Sequence, residues 1–191
     1  MNILDYLPVL LVAFTSLFFF FFKNWRWNIL ALALQYVAVF WMVIQVWTLG
    51  LAVVKLIAGW MAGAILGTSV QNEVVEMEET SINEQRFKII LTVIIWIIVF
   101  SITPQIQKFL PFSSPLILGA MTLITIGILQ FGLTSNPIKV IFGLLTCFSG
   151  FEVLYAGMEN SILVAGFLSL ITLGIALVGV LFIHQSEGEL I

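Results

Sequence analysis

Long uninterrupted apolar runs alternate along the chain with short polar segments. A helix that crosses a bilayer needs about 20 mostly apolar residues, and seven runs meet or approach that length. These runs are continuous and do not alternate residue by residue, so they predict helices and not the strands of a membrane barrel. The seven predicted spans cover residues 6–22, 27–47, 49–70, 87–103, 115–133, 138–157 and 161–183. The pattern therefore predicts an all-α, polytopic integral membrane helix bundle, with a short fourth span that Pro104 ends.

One polar stretch divides the predicted spans into two groups. It reads QNEVVEMEETSINEQRFK over residues 71–88 and contains five glutamates. We expect residues 1–70 to form a first three-helix transmembrane unit and residues 71–87 to form an acidic cytoplasmic linker. Residues 88–191 are then a second transmembrane unit of four helices. The acidic stretch is either a solvated linker or a docking surface for a basic partner.

The two units share a pattern that suggests an internal duplication. Residues 24–70 align with residues 136–182 without gaps. Each block opens with a short polar and basic start, continues into a long helix, makes a short turn and ends in a helix rich in small residues. Repeats of this kind are common in membrane proteins. The fold is therefore expected to contain a duplicated three-helix unit.

Charge and composition place most of the chain in lipid. Hydrophobic residues make up 61% of the chain and charged residues 9%, whereas soluble domains carry about 25% charged residues. With seven spans, three basic loops share one side of the membrane, at Lys23 and Arg26, at Arg86 and Lys88, and at Lys139. The positive-inside rule then predicts an outside N-terminus and a cytoplasmic C-terminus. A net charge of −3 offers no basic face for nucleic acid.

The residues that usually carry enzymatic chemistry are scarce. The chain has one cysteine, Cys147, and one histidine, His184. No grouping of metal ligands and no nucleophile-base pair can be assembled from them. We therefore expect no enzyme, no metal site and no cofactor.

Two ionisable residues lie well inside predicted spans. Lys55 is in the third span and Glu152 is in the sixth, and both are expected roughly 8 Å below the same membrane surface at 1.5 Å per residue. Equal depth favours an ion pair between the two helices. The alternatives are that Lys55 snorkels to the interface or faces a partner subunit. Glu152 is either a proton relay or a structural hydrogen-bonding group.

Further polar residues and two sets of glycines accompany this pair. Polar side chains within or beside the spans either extend an ion path or make interhelical hydrogen bonds, and they are Gln35, Gln45, Gln130 and Tyr155. Glycines let helices approach closely, and they are Gly59, Gly63 and Gly67 on the third span, with Gly143 and Gly150 on the sixth. We expect these two grooved helices to pack together.

The C-terminal third of the chain resembles a known family. The segment NPIKVIFGLLTCFSGFEVLYAGMENSILVAG, with its Gly150-Phe151-Glu152 motif, is similar to the K (4L) subunit of respiratory complex I. Related small subunits occur in Mrp-type antiporters and membrane-bound hydrogenases. The resemblance implies that Glu152 is the family's membrane carboxylate, on a hydrophilic axis that conducts protons. The family's third helix carries a second glutamate, whereas Thr172 stands near that place here.

Three functions follow from these observations. The first is a non-catalytic membrane subunit of a proton- or cation-translocating complex, with Lys55 and Glu152 as ion relay. Its partners are expected to be membrane lipid and other membrane subunits, and its location a bacterial inner or thylakoid membrane. The second is a self-contained small transporter or channel. The third is a structural or assembly protein that uses its glycine faces and acidic loop for docking.

Overall fold

The structure, a computed structural model, describes residues 3–21, 24–70, 82–110, 112–134 and 136–188. These residues form seven α-helices and a short 3-10 helix, Ile3–Tyr6, and they contain no strand. The helices are α1 (Leu7–Phe21), α2 (Trp25–Val43), α3 (Leu49–Val70), α4 (Ile82–Ile106), α5 (Ser114–Gly132), α6 (Pro137–Met158) and α7 (Ile162–Gly188). The predicted all-helical bundle is confirmed.

Six of the seven helices are long and apolar enough to cross a membrane. The exception is α1, which has 15 residues and is therefore about 22 Å long at 1.5 Å per residue. A hydrocarbon core is about 30 Å thick. The described residues thus form an integral membrane bundle with six full-length candidate spans and one shorter apolar helix.

The fourth helix differs from its prediction in both its start and its end. It begins at Ile82 and runs for 25 residues with Pro104 inside it. An early start is favoured because Glu84 lies near the positive helix N-terminus and pairs with Lys88 one turn on, at 2.5 Å. Pro104 lies in the last turn, where the lost backbone hydrogen bond costs little continuity. The predicted linker is thus shorter at this end, and its residues 71–81 lie outside the described part of the chain.

Matching asparagine caps start α2 and α6, the first helices of the two sequence blocks that align without gaps. Asn24 accepts a hydrogen bond from the Arg26 backbone N–H at 3.0 Å, and Asn136 accepts one from the Ile138 N–H at 3.0 Å. Each cap satisfies one of the free N–H groups at a helix start. The two caps occupy equivalent positions in the ungapped sequence comparison of the two units. A hydrogen bond from Trp47 Nε1 to the carbonyl oxygen of Glu159, at 2.9 Å, then joins the turns at the other end of these helices.

Helix packing places corresponding helices of the two predicted units beside one another. Helix α1 contacts α5, α2 contacts α6, and α3 contacts α7, while α4 lies against α5 and α1. The most extensive contact is that of α5 with α6, and α3 packs mainly on α7 and α2. This arrangement is compatible with the predicted duplication. The contacts of α2 with α3, α3 with α7, α7 with α6 and α6 with α2 also join these four helices in a ring.

Two apolar clusters fill the bundle, one toward each end. One contains Val43, Trp47 and Val153 near the α2–α3 and α6–α7 turns. The other contains Leu32, Tyr36 and Phe142 and extends toward the opposite end of the helices. Because Tyr36 and Val153 belong to different clusters, the polar residues beside them lie where the two apolar regions meet.

Candidate functional site

A buried ion pair joins the third and sixth helices. Lys55 on α3 donates from Nζ to Oε1 of Glu152 on α6. Both residues are 1% exposed. Lys55 lies six residues after the start of α3 and Glu152 six residues before the end of α6, so both are about 9 Å from those helix ends. The structure therefore brings the two predicted residues together at matched depth.

The carboxylate of Glu152 is only partly satisfied. Its Oε1 accepts from Lys55 and also from the Thr172 hydroxyl on α7, at 3.0 Å. Its Oε2 is buried and has no hydrogen-bond partner among the described residues. A buried carboxylate offers about four lone-pair sites. One of the two carboxylate oxygens is therefore without a hydrogen bond from the described residues.

Thr172 connects the pair to the backbone of α7. Its hydroxyl lies 3.0 Å from Glu152 Oε1 and 3.1 Å from the carbonyl oxygen of Leu168. A hydroxyl carries one proton, so it donates to only one of these two acceptors at a time. Thr172 can therefore support the charged carboxylate or release it without moving the helix.

Tyr36 on α2 is the fourth polar residue of the site, after those on α3, α6 and α7. It is 1% exposed, and its hydroxyl lies beside Thr172 and in the field of the Glu152 carboxylate. That hydroxyl makes no hydrogen bond of normal geometry with any described residue. Its ring lies against the α3 backbone at Gly59, where a β-carbon would come within 2.2 Å of the ring. Gly59 therefore creates the space that lets Tyr36 reach the ion pair.

A second polar contact lies farther along α2 and α6. The Thr146 hydroxyl approaches Oε1 of Gln35 at 3.4 Å, and the Gln35 amide nitrogen is buried without a partner. Ser149, one turn from Thr146, donates to its backbone carbonyl at 2.7 Å. The buried face of α6 thus carries Thr146, Ser149 and Glu152 in succession. Gln35, on α2, contacts this polar face of α6 through Thr146.

The other predicted polar residues lie away from the ion pair. Gln45 is exposed in the turn after α2 and donates to the Trp41 carbonyl at 3.3 Å, so its placement within a span is wrong. Tyr155 is half-buried and its ring packs on that of Phe151 at 6.2 Å. Gln130 is buried near the end of α5, and neither of its amide atoms has a partner among the described residues.

The glycine-lined helices do not pack against each other as expected. Gly59 meets Tyr36, and Gly67 approaches Ile29, so the α3 glycine face packs on α2, while Gly63 has only distant neighbours there. On the sixth helix, β-carbons built at Gly143 and Gly150 would come within 2.9 Å of Phe131 N and 2.7 Å of Ala120 O, both on α5. Small residues reveal that a backbone approaches closely but carry no information about which helix it belongs to.

Sequence reasoning underestimated two hydroxyl residues of the site. Tyr36 was not among the predicted site residues, and Thr172 was noted only as the residue that stands where the family has an acid. Both have a sequence indication in retrospect. Thr172 follows Ala165 and Ser169 and precedes Ala176 at helical spacing, and this small, polar stripe is the buried face of α7. Tyr36 adjoins Gln35, which contacts Thr146 on α6, and its own ring packs on α3 at Gly59.

The acidic and metal-ligating side chains of the described residues define which chemistry the site can perform. Among the described residues, no group of three or more histidine, cysteine, aspartate or glutamate side chains can hold a metal ion. Glu152 is the only buried acidic side chain in that part of the chain. What the site can do is share or transfer a proton among an amine, a carboxylate and two hydroxyls.

Comparison of the chain with family models, with curated proteins and with solved structures finds no match. The fold and the ion pair therefore carry the functional argument by themselves.

Proposed function

We propose that this chain is a non-catalytic membrane subunit of an ion-translocating complex, in which Lys55 and Glu152 relay a proton or exchange with a cation. The observation that carries the proposal is the buried Lys55–Glu152 pair with a free carboxylate oxygen inside a membrane bundle. Ionisable groups within spanning helices are costly and usually serve ion or proton pathways.

The energetics of the pair favour a relay over a purely structural contact. Desolvating two charges is repaid only when geometry is good and the remaining lone pairs and protons are satisfied. Here Glu152 Oε2 has no partner, and Lys55 uses one of its three N–H donors within the described residues. Incomplete compensation narrows the free-energy gap between the charged pair and its neutral form, in which a proton has passed from the amine to the carboxylate. Closely spaced protonation states are what a relay requires.

The need for other subunits follows from the small number of titratable groups. Glu152 is the only buried acid in the described residues, and a path across a 30 Å core, about the usual thickness, needs several stations. Other chains would supply them. The sequence resemblance to the K (4L) subunit of complex I and to the small subunits of Mrp-type antiporters and membrane-bound hydrogenases supports this class of partner. With α1 as a seventh crossing, the positive-inside rule places the N-terminus outside and the C-terminus on the cytoplasmic side. The membrane of this proposal is a bacterial inner or thylakoid membrane.

The test starts from the complex in its native membrane. A tagged chain should co-purify in mild detergent with large membrane subunits, and ion uptake by membrane vesicles should depend on Glu152. We expect Glu152→Gln to assemble normally and to lose at least tenfold in ion-coupled activity. Glu152→Asp keeps the carboxylate and should retain more activity than the glutamine variant. Wild-type ion coupling in an assembled Glu152→Gln complex would refute the relay.

A structural role makes the opposite prediction for the same variants. If the pair only holds α3 and α6 together, replacing both charges by neutral residues of similar size should leave activity intact. The double variant Lys55→Met with Glu152→Gln therefore separates the two functions. Normal assembly with lost ion coupling supports the relay, and normal assembly with normal coupling supports the structural role.

A further inference from the structure

Two buried polar groups of the site, one hydrogen-bond donor and one acceptor, have no partner among the described residues. The Tyr36 hydroxyl and Glu152 Oε2 are both buried, and neither has a partner among the described residues. Leaving such groups unsatisfied costs about 1–3 kcal/mol each. Such groups are few in native structures, and each calls for an explanation such as a functional role. The two groups are chemically complementary, since a phenol donates and a carboxylate accepts.

The position of Tyr36 is fixed by its ring and not by its hydroxyl. The ring rests on the backbone at Gly59, one turn along α3 from Lys55. The hydroxyl lies beside Thr172, which itself contacts Glu152 Oε1. The Tyr36 hydroxyl is therefore separated from the carboxylate by one side chain, that of Thr172, while Lys55 contacts the carboxylate directly from α3.

We propose that Tyr36 is the alternative hydrogen-bond donor to Glu152. When Lys55 no longer binds the carboxyl group, the Tyr36 hydroxyl donates to Oε2. The inference rests on the proposed function in one respect, namely that a relay requires the Lys55–Glu152 pair to part. Tyr36 is then a positioning residue that holds the acid in the bundle during the open step. Thr172 accompanies the exchange, because its single proton can point to Glu152 or to the Leu168 carbonyl.

The first test is a double-mutant cycle on the intact chain in detergent. In the wild-type background Tyr36→Phe removes a hydroxyl that has no partner, so the thermal midpoint should change by less than about 2 °C. In the Lys55→Met background the hydroxyl is in use, and the same substitution should lower the midpoint by about 4 °C or more. Tyr155→Phe is the matched control and should have the same small effect in both backgrounds. Equal effects of Tyr36→Phe in the two backgrounds would overturn the proposal.

The second test needs no Lys55 variant and detects the contact directly. Infrared difference spectra of the full chain with isotope-labelled tyrosine are recorded as acid protonates Glu152 and ends the ion pair. The ring C–O band of one of the three tyrosines should shift. The shift should vanish in Tyr36→Phe and in Glu152→Gln, and it should persist in Tyr155→Phe. Absence of a band that depends on both Tyr36 and Glu152 would also overturn the proposal.

These measurements can fail independently of the proposed function. If Glu152→Gln abolishes ion coupling but the cycle is additive and no tyrosine band responds, the relay stands and the role of Tyr36 is rejected. If the cycle is coupled and the band responds but Glu152→Gln leaves ion coupling intact, the Tyr36–Glu152 contact stands and the relay is rejected.

Discussion

Removing the two charges of the buried pair one at a time and then together gives a direct measure of their interaction. Lys55 and Glu152 are each 1% exposed, so neither stranded partner can reach water. Breaking a buried pair by removing one partner costs about 3–5 kcal/mol. Lys55→Met and Glu152→Gln should each fall near the lower limit, about 3 kcal/mol, because a stranded acid can take up a proton and an amide still accepts a hydrogen bond.

The double variant should recover most of that loss. Replacing both members of a buried ion pair by neutral residues of similar volume is often neutral or stabilising. We therefore expect Lys55→Met with Glu152→Gln to unfold with a free energy within about 1 kcal/mol of wild type. The coupling between the two positions should then be about 5 kcal/mol or more, above the roughly 0.5–3 kcal/mol that is usual for residues in contact.

The assay is reversible unfolding in mixed micelles, with a denaturing detergent titrated against a mild one. The six tryptophans of the chain provide a fluorescence signal for the transition. The control cycle uses Glu84 and Lys88, whose side chains are 43% and 9% exposed. That pair is spaced one turn apart on α4 and should show a coupling of about 0.5 kcal/mol or less. If the effects at Lys55 and Glu152 add to within about 0.5 kcal/mol, the two charges do not interact as the geometry requires.

Three further predictions concern the frame around the site. Gly150→Ala should lower the unfolding free energy by about 1–3 kcal/mol, because its β-carbon would lie 2.7 Å from the α5 backbone. Gly63→Ala is the control, since its β-carbon would have no neighbour nearer than 3.9 Å, and it should be close to neutral in the same titration. Trp47→Phe removes the hydrogen bond to the Glu159 carbonyl and should cost about 1 kcal/mol, seen as faster hydrogen exchange in both adjoining turns. Asn136→Ala removes the α6 cap and should cost about 1 kcal/mol by thermal unfolding, with Asn136→Ser restoring most of it; no difference between the two variants would contradict the capping role.

The ion pair was predictable from sequence because a helix converts residue number into depth. Lys55 and Glu152 lie equally far from helix ends that the turns place on one side of the bundle, and a buried charge needs a partner. The neighbours of each helix were not predictable in the same way. The glycines at Gly59 and Gly150 indicate close approach, but the choice between α2, α5 and another helix depends on the whole packing. Tyr36 was missed because its role comes from two unsatisfied groups that only coordinates can reveal.

Helix starts were predictable from nearby residues, whereas the full length of α4 was not. The caps at Asn24 and Asn136 act within one turn, and the polar starts of both blocks were visible in the sequence. The extent of α4 was misjudged because a proline was treated as a stop. In its last turn Pro104 removes one hydrogen bond while the apolar run before it continues to favour a helix in lipid. The helix therefore persists for as long as its apolar residues and the Glu84–Lys88 pair support it.

The relation between the two three-helix units bears on how such a site could arise. The ungapped comparison that matches the asparagine caps also pairs Lys55 with Phe167 and Glu152 with Phe40. Phe167 is 59% exposed, whereas its counterpart is the buried lysine, so the correspondence holds at the helix starts and breaks at the depth of the ion pair. A symmetric pair of units would have placed two equal sites about the axis. The chain instead builds one site from Tyr36 and Lys55 of the first unit and Glu152 and Thr172 of the second. The duplication expected from the sequence would account for the four helices, and the departure from symmetry leaves a single site, at which we propose that a proton is relayed.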